Sequence, residues 1–122
     1  MNYTIHTDGF EGFMERSAER ARKMDRGERT KPSFGITFES PMQMLEVLTA
    51  QRLRVVEVAR TRPYSVSGLA KKLGRDPKSV RRDVKKLEQY GVVRTREAIN
   101  PGHGRIKIIE PVAQSFELRA RF

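Results

Sequence analysis

Cations and hydrogen-bonding side chains recur at helical spacing in one basic stretch, residues 65–93. Within it, Val80, Val84 and Leu87 share one face of a helix that turns by about 100° per residue. The same arithmetic places a polar and cationic set on the opposite face and its flanks: Lys78, Ser79, Arg81, Arg82, Lys85, Lys86 and Gln89. Such a helix suits the major groove of a DNA duplex, where its donors can reach base edges and phosphates. A solvated surface helix is the plainer interpretation of the same pattern.

Residues at the ends of this stretch predict where two successive helices begin and end. Ser65 is a suitable N-cap for the first helix, and Gly74 suits its exit because glycine reaches the left-handed conformation cheaply. Asp76 caps the second helix, and Pro77 occupies its first position, where a missing N–H costs nothing. The stretch is therefore predicted to be a helix, a short turn and a second helix.

Three segments of the stretch carry a resemblance to known proteins: residues 69–74, 79–88 and 91–93. They resemble the helix-turn-helix of winged-helix transcriptional regulators in the broad MarR- and ArsR-like class. A longer run, residues 38–122, is similar to a small prokaryotic family of predicted winged-helix regulators, some of which are antitoxins paired with toxin genes. The resemblance implies a winged-helix fold and DNA binding, and it is more specific for the fold because some winged helices bind protein or RNA.

The net charge of +10 is unevenly distributed along the 122 residues. Residues 60–96 carry twelve Lys and Arg against three acidic residues, a net of +9, whereas the nine cations and nine carboxylates of residues 1–59 sum to zero. A polyanion-binding surface concentrates charge in this way, because neutralising phosphates releases condensed counterions. A solubility patch is the alternative interpretation.

A β-hairpin is predicted after the second helix, from strand periodicity in residues 92–99 and 105–109 around a turn at residues 100–104. This hairpin corresponds to the wing. His103 and Arg105 lie at its tip, where they could enter a minor groove or contact phosphate. The alternative is a flexible turn with incidental polar residues.

The sequence divides into three predicted parts: residues 1–32, a helical arm and linker; residues 33–111, the winged-helix domain; and residues 112–122, a C-terminal strand. Residues 1–9 are polar and mixed, and are expected to be frayed.

The arm carries apolar residues at helical spacing, namely Phe10, Phe13, Met14, Ala18, Ala21 and Met24. It could contact a second subunit or another protein, or fold back on its own domain. The alternating residues 116–122 could pair within their own sheet or with another subunit as a dimerisation segment.

Several classes of function are not expected from this sequence. There is no cysteine, and His6 and His103 lie in different regions, so neither a metal site nor a cofactor is expected. No catalytic motif or phosphate-binding glycine loop occurs, which argues against an enzyme. No apolar run approaches the roughly 20 residues that a membrane-spanning helix needs, and no signal peptide is recognisable. A cytoplasmic protein is expected.

The predicted fold class is mainly α with a small β-hairpin: a winged helix-turn-helix with an added N-terminal helix and C-terminal strand. The predicted function is sequence-specific binding to double-stranded DNA as a transcriptional regulator, in the form of a homodimeric repressor. One alternative is an antitoxin that grips a toxin through residues 10–26 or 112–122. Another is a module that binds only protein.

The predicted roles divide the cations of the helix-turn-helix into two groups. Base edges are assigned to Lys78, Ser79, Arg81 and Arg82, because arginine and serine side chains pair readily with bases. Phosphates are assigned to Lys71, Lys72, Arg75, Lys85 and Lys86.

Overall fold

The computed structural model describes residues 2–31 and 34–121, which form five helices and five strands. In chain order these are β1 (Asn2–His6), α1 (Gly9–Asp25), β2 (Phe34–Thr37), α2 (Pro41–Val47), α3 (Ala50–Ala59), α4 (Val66–Leu73), α5 (Pro77–Gln89), β3 (Val93–Asn100), β4 (Gly104–Pro111) and β5 (Ser115–Leu118). The chain divides into two compact units, one of residues 1–46 with 115–122 and one of residues 47–114. Residues 33–46, which the sequence analysis assigns to the winged-helix domain, fall in the first unit. Pro32 of the predicted linker, Ser33 of the predicted winged-helix domain and Phe122 of the predicted terminal strand lie outside the described residues.

The first unit contains a three-stranded parallel sheet in the order β2-β1-β5. Its central strand, β1, buries Tyr3 and Ile5 and pairs with strands from both of the later segments. The prediction of a frayed N-terminus is therefore wrong. Two alternating apolar side chains suffice for a strand here because both edges of β1 are hydrogen-bonded to distant parts of the chain.

The predicted C-terminal strand is confirmed as β5, and it pairs within its own chain. Tyr3 lies opposite Phe116, and their rings meet edge to face with centroids 5.4 Å apart. Strand β2 occupies the other edge of β1, with Phe34 opposite Tyr3. The first unit thus joins the N-terminal and C-terminal segments of the chain in one sheet.

Helix α1 is confirmed, but it turns an unexpected face to its own unit. It buries Gly9 and Gly12, and the Gly9 N–H donates to the Phe38 carbonyl at 3.0 Å. The apolar stripe stays in solvent, with 67% of Phe10 and 62% of Met24 exposed. A glycine face lets the backbone of α1 approach the Phe38 backbone closely. The larger apolar side chains of α1 remain exposed to solvent.

The second unit has the predicted winged helix-turn-helix architecture. Helices α3, α4 and α5 surround a core whose most buried side chains include Val55, Leu69, Leu87 and Ile109. Strands β3 and β4 form the antiparallel wing, from Val93 opposite Pro111 to Asn100 opposite Gly104. An isolated antiparallel bridge pairs Tyr64 with Ile109 on the β4 edge of this sheet. The fold class is therefore confirmed. No helix in the described part of the chain is long and apolar enough to cross a membrane.

Candidate nucleic-acid interface

Helix α5 begins and ends where the sequence predicts. The Asp76 carboxylate accepts from the Ser79 N–H at 3.2 Å, and Pro77 is the first helical residue. After Gln89 the chain leaves the helix through Gly91, whose φ of 76° is costly for any other residue. The capped ends fix the length and the phase of α5.

The buried seam of α5 turns the predicted DNA-contacting side chains outward. Val80 and Leu87 have no exposed surface, and Val84 retains only 4%. The opposite side carries Lys78, Arg81, Arg82 and Lys85, all exposed. Ser79 and Lys86, on the flanks, are half-buried.

The residues predicted to read base edges therefore share one accessible surface. Lys78, Arg81 and Arg82 take part in no ion pair among residues 2–31 and 34–121, so their charges are not neutralised within this part of the molecule. Unpaired cations at the centre of a convex helix are available to an external anion.

The predicted phosphate contacts lie around this surface. Lys71 and Lys72 are exposed in the last turn of α4, and Lys85 is exposed on α5. The Lys86 ammonium lies 5.5 Å from the centre of the Tyr90 ring, a cation–π geometry that orients the side chain. Four of the five cations assigned to phosphate thus retain accessible surface without a carboxylate partner in the described residues.

Arg75, the fifth, is engaged within the molecule. Its Nη2 lies 2.7 Å from Asp83 Oδ2, and Arg52 Nε lies 3.1 Å from Asp83 Oδ1. Arg52 also donates to the Val47 carbonyl at 3.0 Å. Only 20% of each arginine side chain and 12% of the Asp83 side chain are exposed. The structure thereby differs from the sequence-based interpretation of Arg75, because this guanidinium holds α5 in place and is not displayed like the four lysines.

The Asp83 network was not predicted, although one signal for it is present in the sequence. Asp83 lies three residues after Val80 and four before Leu87, in the phase of the buried seam. A carboxylate in that phase needs partners, because burying an unpaired charge is costly. The partner Arg52 is 31 positions away, and no local pattern identifies it.

The wing is held at its base and exposed at its tip. Thr95 Oγ1 donates to Glu88 at 2.7 Å, which ties β3 to the end of α5. At the tip, the His103 N–H donates to the Asn100 carbonyl at 2.9 Å, and His103 is exposed. Within the part of the chain that the structure describes, the one ion pair of Arg105 is the solvent-exposed pair with Glu97, so Arg105 can exchange that partner for a phosphate.

Ile99 is a further candidate contact at the wing that the sequence analysis did not identify. It is 81% exposed and lies directly opposite Arg105 in the β3–β4 ladder. An exposed aliphatic side chain beside an arginine at a hairpin tip matches the side chains that proteins place in a minor groove. Among the described residues, no group of three or more histidines and carboxylates could hold a metal ion.

Comparison with known proteins identifies the second unit. A family model described as HVO_A0114 matches residues 47–110, slightly more than half of the chain. No curated protein matches the chain.

Three solved structures share the fold at a TM-score of 0.50. A possible transcriptional regulator from Methanosarcina mazei Go1 is 24% identical and aligns over 59% of this chain and 63% of its own. Rv0081 from M. tuberculosis is 23% identical over 59% and 69%. The homodimeric winged helix-turn-helix DNA-binding domain of Mb0332 from Mycobacterium bovis, a possible ArsR-family transcriptional regulator, is 15% identical over 60% and 64%.

The chain spans less than two thirds of the Methanosarcina and M. bovis proteins. At these identities the likeness concerns the fold, which is the one built above from the capped helices and the wing. The family match covers the same unit. The chain therefore belongs to the HVO_A0114 family and carries a winged helix-turn-helix fold.

Proposed function

We propose that this protein binds double-stranded DNA in a sequence-specific manner and regulates transcription, as a homodimeric repressor. The observation that carries the proposal is the outward face of α5, where Lys78, Arg81, Arg82 and Lys85 are exposed. The net charge of +9 over residues 60–96 supports it. A helix that displays these donors fits the major groove, whereas the core of a protein–protein interface is depleted in charged residues such as lysine.

The proposed roles follow the position of each side chain. Base edges are read by Lys78, Ser79, Arg81 and Arg82. Phosphates are bound by Lys71, Lys72, Lys85 and Lys86. We assign Arg75 a positioning role, together with Arg52, because both guanidiniums hold the Asp83 carboxylate of α5. His103 and Arg105 approach the minor groove or the backbone, and Ile99 is added to them as an apolar contact.

Pairing of two copies supplies the affinity that one small module lacks. Two-fold dimers read half-sites about one helical turn apart. The exposed stripe of α1, with Phe13 half exposed between Phe10 and Met14, is the surface that we propose for this pairing. The outer edge of β5 is the alternative, because β5 lies at the edge of its sheet. Light scattering on a Phe10→Ser/Phe13→Ser variant tests the choice, since a dimer held by α1 becomes monomeric.

The same stripe supports a second candidate function. An antitoxin would use it, or residues 112–122, to bind a toxin while the winged helix represses transcription. If the α1 stripe binds the toxin, the Phe10→Ser/Phe13→Ser variant remains dimeric and binds DNA, but it no longer protects cells from the toxin encoded beside it. If residues 112–122 bind the toxin, the same variant still protects.

Selection of bound duplexes from a random pool tests the main proposal. A regulator of this type enriches a two-fold symmetric sequence whose half-sites are about one turn apart. Failure to enrich any sequence over several rounds would leave a module that binds protein as the better explanation.

A further inference from the structure

One groove of the first unit is lined mainly by cations. It runs between α1 and the segment that follows it, and its lining residues are Arg16, Glu19, Arg20, Lys23, Arg29, Thr30 and Lys31. Five of these seven side chains are cationic and none is apolar. The zero net charge of residues 1–59 conceals this surface, because the helix segregates its charges by face.

The acidic groups nearby do not neutralise the groove. Glu19 is engaged by Arg22 at 2.8 Å and by Arg26 at 3.9 Å, two residues outside the lining. Arg16 pairs with Asp8 and donates to Thr37 Oγ1 at 3.0 Å.

The other four cations, Arg20, Lys23, Arg29 and Lys31, form no ion pair within residues 2–31 and 34–121. All four are exposed. Gathering like charges in a concave surface costs electrostatic energy and focuses a positive potential, so the groove favours an anion.

The spacing of the cations suits a polymer of phosphates. Arg16, Arg20 and Lys23 follow one another at four and three residues on one helix face, and together they extend for about 10 Å along α1. One DNA strand places a phosphate at every 3.4 Å or so of its axis, and successive phosphates lie farther apart in space because the strand winds around that axis, so this row can reach about two of them. Arg29 and Lys31 supply further cations across the groove.

We propose that this groove binds the sugar-phosphate backbone of duplex DNA, in addition to the contacts made by α5. The inference rests on the proposed function and extends it to a second, sequence-independent surface. An acidic protein is the less favoured partner, because protein interfaces depend on buried apolar and aromatic anchors and this lining has none. Protein–DNA interfaces are instead polar and strongly positive.

The salt dependence of DNA affinity in the full chain tests the proposal. The Arg20→Gln/Lys23→Gln variant removes two groove cations, and Arg119→Gln/Arg121→Gln removes two exposed cations from the same unit outside the groove. On a mixed-sequence duplex, log affinity falls as log salt rises, and in the groove variant this negative slope should be shallower by about 1.8. That is about 0.9 for each lost phosphate contact. The control variant should leave the slope near that of the wild type. Circular dichroism melting confirms that both variants are folded.

Two results would overturn the inference. An unchanged slope in the groove variant would show that no phosphate occupies the groove, and would direct the search to an acidic protein. An equal decrease in both variants would show a general effect of charge. Both results leave the proposed function intact if the wild type binds duplex DNA, whereas failure of the wild type to bind any duplex removes both proposals.

Discussion

Asp83 of α5 and Arg75 of the preceding turn are joined by an ion pair of 2.7 Å between Oδ2 and Nη2. The second carboxylate oxygen is used as well, because Arg52 of α3 binds Oδ1 at 3.1 Å. One carboxylate therefore ties α5 to α3 and to the turn between α4 and α5. The direction in which the cations of α5 point depends on this attachment as well as on the apolar seam.

Asp83→Ala should lower the free energy of unfolding by about 3 kcal/mol, because it removes a shared carboxylate from two largely buried guanidiniums. Urea unfolding followed by circular dichroism measures the change. The matched control is Glu57→Ala, which removes the partner of Arg54 in an exposed pair and should cost less than about 1 kcal/mol. Equal losses in the two variants would mean that the network does not hold α5.

Arg82→Ala should relax the preference for one base pair and weaken binding to the selected duplex by about 1–3 kcal/mol. The guanidinium is exposed and forms no ion pair with the described residues, so it can make two parallel hydrogen bonds to a guanine edge, which alanine cannot replace. Anisotropy titrations with the selected duplex and with its single-base variants measure this preference. A loss of the same size on random DNA would assign Arg82 to the backbone instead.

Lys85→Ala should weaken binding to every duplex by a similar factor and should lower the salt slope by about 0.9, because a lysine–phosphate contact is blind to sequence. The same titrations, repeated at several salt concentrations, give the slope. Arg54→Ala serves as the control, since it removes an exposed cation from α3 that already has a carboxylate partner. A change of base preference in the lysine variant would contradict the assignment.

His6 makes the stability of the first unit sensitive to pH. Burial, followed by the nearby Arg16 charge, lowers the pKa of His6 below its ordinary value of 6.5. Asp8 and Glu117 act in the opposite direction but do not reverse the shift. The unfolded chain then binds the proton more readily than the folded chain, so the contribution of neutral His6 is present above about pH 6.5 and is lost as the pH falls through the lowered pKa.

Urea unfolding at about pH 7.5 and about pH 5.5 should therefore show a larger loss of stability in the wild type than in His6→Gln, which has no proton to take up. Tyrosine fluorescence can follow the unfolding, because Tyr3 and Tyr64 are both buried. Equal losses in the two proteins would show that His6 titrates alike in the folded and unfolded states.

The helix-turn-helix and the wing were predictable because their signals are local. Asp76 and Gly74 sit next to the helix ends that they define, and the seam of α5 repeats within three turns. Each of these features is decided by residues a few positions apart, so the sequence alone was sufficient to predict them.

The N-terminal strand and the orientation of α1 were not predictable in this way. β1 forms because it pairs with segments around residues 34 and 116, and neither pairing leaves a mark within residues 2–6. The apolar stripe of α1 left open whether it contacts a partner or folds back on its own domain, and Gly9 and Gly12, which carry no apolar side chain, are the residues that α1 buries. In both cases tertiary pairing overrides the local pattern. The Asp83 network was not predicted for the same reason, because the partner Arg52 comes from another helix.

The central claim is that α5 presents its cations to a duplex and reads the sequence there. The most direct measurement is the ratio of dissociation constants for a random duplex and for the duplex selected from a random pool, at one physiological salt concentration. The account predicts a ratio of at least about 1,000 for the wild type, and a clear decrease in Arg82→Ala. A ratio near one, with all duplexes bound equally, would contradict it.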